Sequence, residues 1–162
     1  MQIFTHKVVV NSSIRSLCVR PYPNHPKGCP NFGKKETCPP QVGLLGDIYD
    51  ISKGFRVVWV EFDFGNHRIR MGRKHPNWSQ RQVDCCLYWQ GGVKKKLREE
   101  IQDVMYYLEG RGDFLVTDCP EAMGVNVTET MRNIGVNLEW PPEKIVRKIA
   151  LIGERKKDGM VI

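Results

Sequence analysis

The stretch FRVVWVEFDF, residues 55 to 64, carries the clearest secondary-structure signal in the sequence. It is rich in β-branched and aromatic residues, the types that strands favour. An apolar run of this length, with little polar alternation at its start, is typical of a strand buried on both faces. The sequence therefore predicts a central strand here, with both of its faces covered.

Strand and helix signals alternate on either side of this stretch. Strands are predicted at residues 3–10, 55–64, 113–119 and 145–153, and helices at residues 44–52, 79–88, 93–110 and 126–135. Ser79 and Gln82 form a capping-box signal at the start of the second helix, and Gly91 and Gly92 are expected to interrupt it. The pattern predicts an α/β or α+β fold, with a single domain over residues 1–162 and a mixed sheet of about four strands.

The composition is that of a folded, basic protein. The 162 residues are 41% hydrophobic and 27% charged, which is enough for one core. No apolar run approaches the roughly 18 residues that a membrane helix needs, and the N-terminus lacks a signal-peptide pattern, so we expect a cytoplasmic protein without a membrane partner. The formal net charge of +7 favours nucleic acid or another anionic partner, with basic clusters at residues 68–81 and 94–98. A well-solvated basic surface is the alternative.

The stretch HPKGCPNFGKKETCPP, residues 25 to 40, has too few apolar residues to form a core of its own. Residues 21–43 hold six of the ten prolines, and Cys18, Cys29 and Cys38 are spaced C-x10-C-x8-C. Disulfides are rare in a reducing compartment, so such cysteines bind metal, do chemistry or pack as small apolar residues. Because ligation free energy becomes folding free energy, we predict a metal-binding loop over residues 18–43.

Two metals fit this loop. An iron–sulfur cluster is bound by cysteine thiolates, and a Cys-Pro step, as at Cys29 and Cys38, is found next to such clusters. Zn²⁺ is served by a Cys₃His set of Cys18, His25, Cys29 and Cys38, although the usual C-x2-C pair is absent. Thiols that bind nothing are the third interpretation, and residue spacing alone leaves all three open.

The other three cysteines fall in two places. Cys119 ends a predicted strand and precedes a proline, which makes it the natural fourth thiolate of a cluster. Cys85 and Cys86 are adjacent, and on a helix they would point about 100° apart. We expect core packing for this pair, with Cys85 as an alternative metal ligand.

Two segments resemble the motifs of a known family. GCPNFGKKETCPP (28–40) and CPEAMGVNVTETMRNIGVNLEW (119–140) resemble those of an uncharacterised family of predicted metal-binding proteins, common in anaerobic bacteria and archaea. The matching positions are Cys29, Asn31, Phe32, Gly33, Lys34, Cys38, Pro39 and Pro40 in the first motif and Cys119, Glu121, Ala122, Gly124, Val127, Thr130 and Gly135 in the second. The resemblance implies an iron–sulfur protein. Many relatives have further closely spaced cysteines before the second motif, and residues 87–118 here contain none, so at most one cluster is expected.

Polar residues near both motifs predict an anion-binding site. Lys34 and Lys35 lie within the loop, where they would offset the negative charge of a thiolate-bound cluster. Asn126 and Thr128 mark the start of the last predicted helix, where free backbone N–H groups attract anions. Ordinary helix capping is the alternative for these two residues.

These observations lead to one expectation and one alternative. We expect a protein that holds a single [4Fe-4S] cluster with Cys18, Cys29, Cys38 and Cys119 and acts in redox or substrate-binding chemistry on an anionic substrate. The alternative is a zinc-stabilised nucleic-acid-binding module, in which Trp78 or Trp89 stacks on bases. The sequence contains no phosphate-binding loop, dinucleotide fingerprint or H-E-x-x-H motif, so no reaction is predicted.

Overall fold

A four-stranded antiparallel sheet is the centre of the fold. The computed structural model describes residues 1–22 and 25–157, and within them the strands lie in the order β1–β2–β4–β3. The strands are β1 (Gln2–Thr5), β2 (Phe55–Asp63), β3 (Phe114–Thr117) and β4 (Ile145–Glu154). The α-helices are α1 (Leu45–Ile48), α2 (Phe64–Lys74), α3 (Gln80–Val83), α4 (Gln90–Leu108) and α5 (Val127–Asn133). Short 3-10 helices cover Ser12–Val19, Ile51–Lys53, Cys86–Tyr88 and Pro120–Met123.

The central pair of strands is β2 and β4. They pair along all of β2, from Phe55 opposite Gly153 to Asp63 opposite Ile145. The side chains of β2 alternate between two cores, so that Val57 belongs to one core and Val58 to the other. The prediction of a strand over residues 55–64 with both faces buried is therefore confirmed.

Helix α4 covers one face of the sheet. Its buried residues recur at the helical spacing that the sequence shows, and they pack against the β2 and β4 side chains of that face. These residues are Val93, Leu97, Val104 and Leu108. The exposed surface of α4 carries mostly charged residues together with Tyr106 and Tyr107. No helix in residues 1–22 and 25–157 is both long and apolar enough to cross a membrane.

The opposite face of the sheet is covered by shorter elements. Leu45 of α1, Met123 of the 3-10 helix and Met131 of α5 pack there against Val57 and Leu151. The chain thus forms three layers, which confirms the α+β class with four strands.

The sheet differs from the predicted mixed one, because each pairing between the four described strands is antiparallel. The strand–helix alternation in the sequence suggested parallel crossovers. A parallel crossover must carry the chain back along the full length of a strand. The connection from β3 to β4 instead contains two short helical elements, α5 and Pro120–Met123, and returns the chain to the neighbouring strand in the antiparallel direction.

Helix α2 was not predicted from the sequence. It follows β2 without a loop, and Asp63 caps it by accepting a hydrogen bond from the backbone N–H of Asn66 at 2.8 Å. Only Phe64 and His67 of this helix are buried. The helix therefore lacks the wide apolar stripe on which a prediction from periodicity depends.

The predicted helix over residues 79–88 is correct at its start and too long at its end. Ser79 and Gln82 form the expected capping box, but α3 ends at Val83 and the 3-10 helix Cys86–Tyr88 follows. The next helix begins at Gln90, so the two glycines at 91 and 92 lie inside α4 rather than interrupting it.

Truncation of a core leucine tests this layer assignment. Leu97 is 2% exposed beneath α4, whereas Leu87 is 85% exposed. We expect Leu97→Ala to lower the free energy of unfolding by about 2–5 kcal/mol, because it removes buried methyl groups and leaves a cavity. Leu87→Ala should change it by less than about 0.5 kcal/mol. Urea denaturation of both variants measures the difference, and equal effects would contradict the packing described here.

Candidate metal centre

The N-terminal segment is tied to the chain that follows Cys119. The backbone N–H of Asn11 donates to the carbonyl oxygen of Gly124 at 2.7 Å, and that of Asn126 donates to the carbonyl oxygen of Val9 at 2.8 Å. The buried hydroxyl of Thr130 accepts a hydrogen bond from the N–H of Val9 at 3.0 Å. Two distant parts of the sequence are thereby joined next to the sheet.

This junction brings two of the predicted ligands into one region. The 3-10 helix Ser12–Val19, which carries Cys18, packs against the 3-10 helix Pro120–Met123, which directly follows Cys119. Gly124 permits the approach: its φ is +85°, and a Cβ at this position would lie 3.3 Å from the carbonyl oxygen of Asn11. The second sequence motif therefore has a structural role in placing Cys18.

Cys29, the third predicted ligand, is joined to Cys18 through a direct backbone contact. The N–H of Cys29 donates to the carbonyl oxygen of Cys18 at 2.7 Å. Gly28, just before it, has a φ of +80°, and a Cβ there would lie 2.7 Å from the same oxygen. A real Cβ does not approach backbone oxygen so closely, so only glycine allows the two segments to meet.

Backbone turns order the rest of the metal-binding loop. The carbonyl oxygen of Cys29 accepts from the N–H of Phe32 at 3.2 Å, and Cys38 donates to the carbonyl of Lys35 at 3.0 Å and accepts from Val42 at 3.1 Å. Gly28 and Pro39 are the buried residues among those described in 18–43. The loop thus has no core of its own, as the sequence indicates, but hydrogen bonds supply part of the order that the sequence argument assigned to a metal alone.

The thiol of Cys18 lies within electrostatic range of two other loop thiols. Burial raises its pKa, and negative charge at Cys29, Cys38 and Glu121 raises the pKa further. Arg15 acts in the opposite direction. These electrostatic effects indicate that Cys29 and Cys38 both lie near Cys18.

The thiol of Cys119 lies within electrostatic range of Cys38. Burial raises its pKa to about 11, with further contributions from Glu121 and, last, Cys38. Lys148 of β4 opposes these effects, and its ammonium group donates to the carbonyl oxygen of Asp118 at 2.8 Å. Nothing in the local sequence signals Lys148, because it reaches Cys119 from a different strand.

Glu121 is a second residue that sequence reasoning missed as part of the site. Its side chain keeps access to solvent, yet protein surrounds it on most sides, and the resulting loss of water raises the pKa of its carboxyl group. It lies near both Cys18 and Cys119. The site therefore contains one carboxylate among its thiols and cations.

A surface groove of about 470 Å³ opens beside Cys18 and Cys29. Its lining includes His25, Lys27, Phe32 and Lys34. The ring of His25 stacks on Tyr22 at a centroid distance of 4.5 Å, which keeps this alternative ligand next to the thiols. Lys35 is exposed and contributes its carbonyl oxygen to the Cys38 turn.

The adjacent cysteines do not pack in the core. Cys85 is partly buried and Cys86 is exposed, because the pair lies at the start of a short 3-10 helix and not on a core-facing helix. Cys86 is near the loop: burial raises the pKa of Tyr22, and Cys29, Cys86 and Cys18 add to the shift. No such link joins Cys85, the predicted alternative ligand, to the described loop thiols.

The two polar residues predicted at the start of α5 have structural partners. The side-chain oxygen of Asn126 accepts from the N–H of Glu129 at 3.1 Å, and the Thr128 hydroxyl accepts from the indole N–H of Trp140 at 3.1 Å. Both contacts correspond to the capping and packing alternative. Of the predicted anion-binding residues, Lys34 is the one that lines the groove beside the thiols.

Comparison with known proteins gives no match: no family model, no curated protein and no solved structure is significantly similar to this chain. The family resemblance of the two motifs therefore stays a prediction.

Substitution of glycine tests the close contact between the two ligand segments. Gly28→Ala should destabilise the protein by several kcal/mol, because the new Cβ meets the Cys18 carbonyl oxygen and the positive φ adds about 1–2 kcal/mol. Gly33→Ala is the matched control: its φ is +70°, but no atom lies within 4 Å of the new Cβ. Thermal and urea unfolding should show a much larger loss for Gly28→Ala, and equal losses would refute the contact.

Proposed function

We propose that this protein binds a single [4Fe-4S] cluster through Cys18, Cys29, Cys38 and Cys119. The observation that carries the proposal is that three separate segments of the chain, which hold these four cysteines, meet in one region. The packing of Ser12–Val19 on Pro120–Met123 and the Cys29–Cys18 backbone bond produce that convergence.

The donor set favours a cluster over zinc. A [4Fe-4S] cluster is bound by cysteine thiolates, and Cys29 and Cys38 are each followed by proline, a step found next to such clusters. Structural zinc sites usually include a close C-x2-C pair, which these four cysteines do not form. In residues 1–22 and 25–157, no three Cys, His, Asp or Glu side chains are already grouped as ligands of one metal ion, and this holds for either metal.

The cations at the site suit a negatively charged centre. Lys148 lies beside Cys119, and Arg15 acts on Cys18. Lys34 lines the groove next to Cys18 and Cys29. The iron–sulfide core carries a smaller positive charge than the negative charge of its four thiolates, so the ligated cluster is an anion that nearby cations stabilise.

The groove is the place where we expect an anionic substrate. A cluster held by four cysteines would supply electron transfer there. Lys27, Lys34 and His25 would orient an anion beside Cys18 and Cys29. Because all six cysteines are free thiols, we place the protein in the reducing cytoplasm.

Metal analysis tests the cofactor directly. Protein purified without oxygen should be brown and should contain about four iron and four sulfide ions per chain, as expected for a [4Fe-4S] centre. Colourless protein with one zinc and no iron would overturn the proposal in favour of a zinc-stabilised module.

Cysteine variants test the ligand set. Cys18→Ala, Cys29→Ala, Cys38→Ala and Cys119→Ala should each lose most of the bound iron and lower the melting temperature, because ligation contributes to folding. The exposed Cys86 provides the control, and Cys86→Ala should keep the iron content of the unaltered protein. Full iron content in all four ligand variants would show that the assignment is wrong.

A further inference from the structure

The two basic clusters of the sequence meet in one cleft, away from the cysteines. Arg70 and Arg73 of α2 and Lys96 of α4 line a cleft of about 700 Å³ at the end of β2. They come from residues 68–81 and 94–98, which the sequence does not otherwise connect. The fold thus brings together, in one cleft, basic residues that are separated in the sequence.

The three cations are not neutralised by the cleft itself. None of them has a carboxylate within salt-bridge distance in the part of the chain that the structure describes. The two acidic residues of the lining have other partners. Glu61 pairs with Arg147 at 2.7 Å, and Asp63 caps α2.

A buried polar atom beside the cleft also lacks a partner. His67, which lines the cleft, is 2% exposed, and its Nε2 lies 3.1 Å from the carbonyl oxygen of Val83. A carbonyl only accepts, so Nε2 carries a proton. Nδ1 has no hydrogen-bond partner among the described residues and is shielded from solvent. The ring therefore serves as a probe of charge in the cleft and not as a direct contact of the ligand.

The cleft also offers apolar surface to the body of a ligand. Phe62 and Ile69 belong to its lining, and Ile69 is 53% exposed. Phe62 is held by stacking on Trp89 at a centroid distance of 5.1 Å. A ligand with both an anionic group and an organic part therefore matches the lining better than a bare inorganic anion does.

The aromatic residues argue against single-stranded nucleic acid as the occupant. Trp78 already stacks with His75 at 3.8 Å and with Tyr88 at 5.1 Å. Trp89 packs against Phe62 and Phe64. The two tryptophans expected to stack on bases are thus engaged within the protein, whereas sequence-tolerant binding of a single strand relies on free stacking surfaces.

We propose that this cleft binds a small phosphate monoester. Its phosphate lies between Arg70, Arg73 and Lys96, and its organic part lies over Phe62 and Ile69. Guanidinium groups donate paired hydrogen bonds that match phosphate oxygens, so the two arginines contribute most of the affinity. Lys96 contributes less, because it also borders a groove that contains the carboxylates of Glu99 and Glu100.

Calorimetric titration of the purified protein with AMP, inorganic phosphate and adenosine tests this proposal. AMP should bind more tightly than phosphate, and adenosine should not bind measurably. Arg70→Ala and Arg73→Ala should each weaken AMP binding about tenfold or more, the loss expected for a charged hydrogen bond. The matched controls Arg81→Ala and Lys95→Ala lie in the same two clusters but outside the cleft lining, and they should leave the affinity unchanged.

Three outcomes would overturn the proposal. They are the absence of AMP binding at millimolar concentration, binding of adenosine as tight as that of AMP, and equal losses in the cleft and control variants. NMR of the His67 imidazole gives an independent readout. Its Nδ1 signal should shift when AMP is added to the unaltered protein and should stay in place when AMP is added to Arg73→Ala. None of these measurements depends on which metal the cysteines bind.

Discussion

The pairing of β2 with β4 is the constraint on which the rest of the fold depends. Nine residues of β2 pair in register with β4, and the side chains of both strands are buried on both faces. Such a ribbon is stable only when each face is covered, because exposed apolar area on either side would cost about 25 cal/mol per Å². Helix α4 covers one face, and α1, α5 and the Pro120–Met123 turn cover the other. One of the elements on the second face, the Pro120–Met123 turn, directly follows Cys119 and packs against Ser12–Val19, which carries Cys18.

The cysteine site therefore depends on the core in a specific way. Met123 and Val125 are buried against the sheet, and between them Gly124 accepts the backbone hydrogen bond of Asn11. The residues that fill the core thus also fix the direction in which the Ser12–Val19 helix leaves the sheet. The loop beyond this helix has almost no buried residues, so its position is set by this junction and by the close contact at Gly28.

Much of the fold follows from local patterns in the sequence. Burial leaves an apolar run in β2 and apolar residues at helical spacing in α4, so both elements can be predicted from the sequence. Helix α2 has no such apolar pattern, because only Phe64 and His67 of it are buried. The antiparallel pairing of the strands could likewise not be predicted, because it depends on the path of the connecting segments in the folded chain.

The candidate site likewise contains some residues that the sequence identifies and others that only the structure reveals. Residue type and spacing identify Cys18, Cys29, Cys38 and Cys119 as candidates. Lys148 and Glu121 were not predicted, since their closeness to the thiols arises from strand pairing and from a turn. The meeting of Arg70 and Arg73 with Lys96 is also a product of tertiary structure. The choice of metal stayed open because iron and zinc share thiolate donors.

The order of the elements along the chain has a consequence for how the cysteine region folds. The backbone hydrogen bonds between Asn11 and Gly124 and between Asn126 and Val9 join segments that are far apart in the sequence. The sheet beside them depends on the equally distant pairing of Phe55 with Gly153. Contacts of such large sequence separation require the closure of long loops, which is the slow part of folding. The approach of the Cys18 and Cys119 segments is therefore coupled to formation of the whole sheet and not to any local turn.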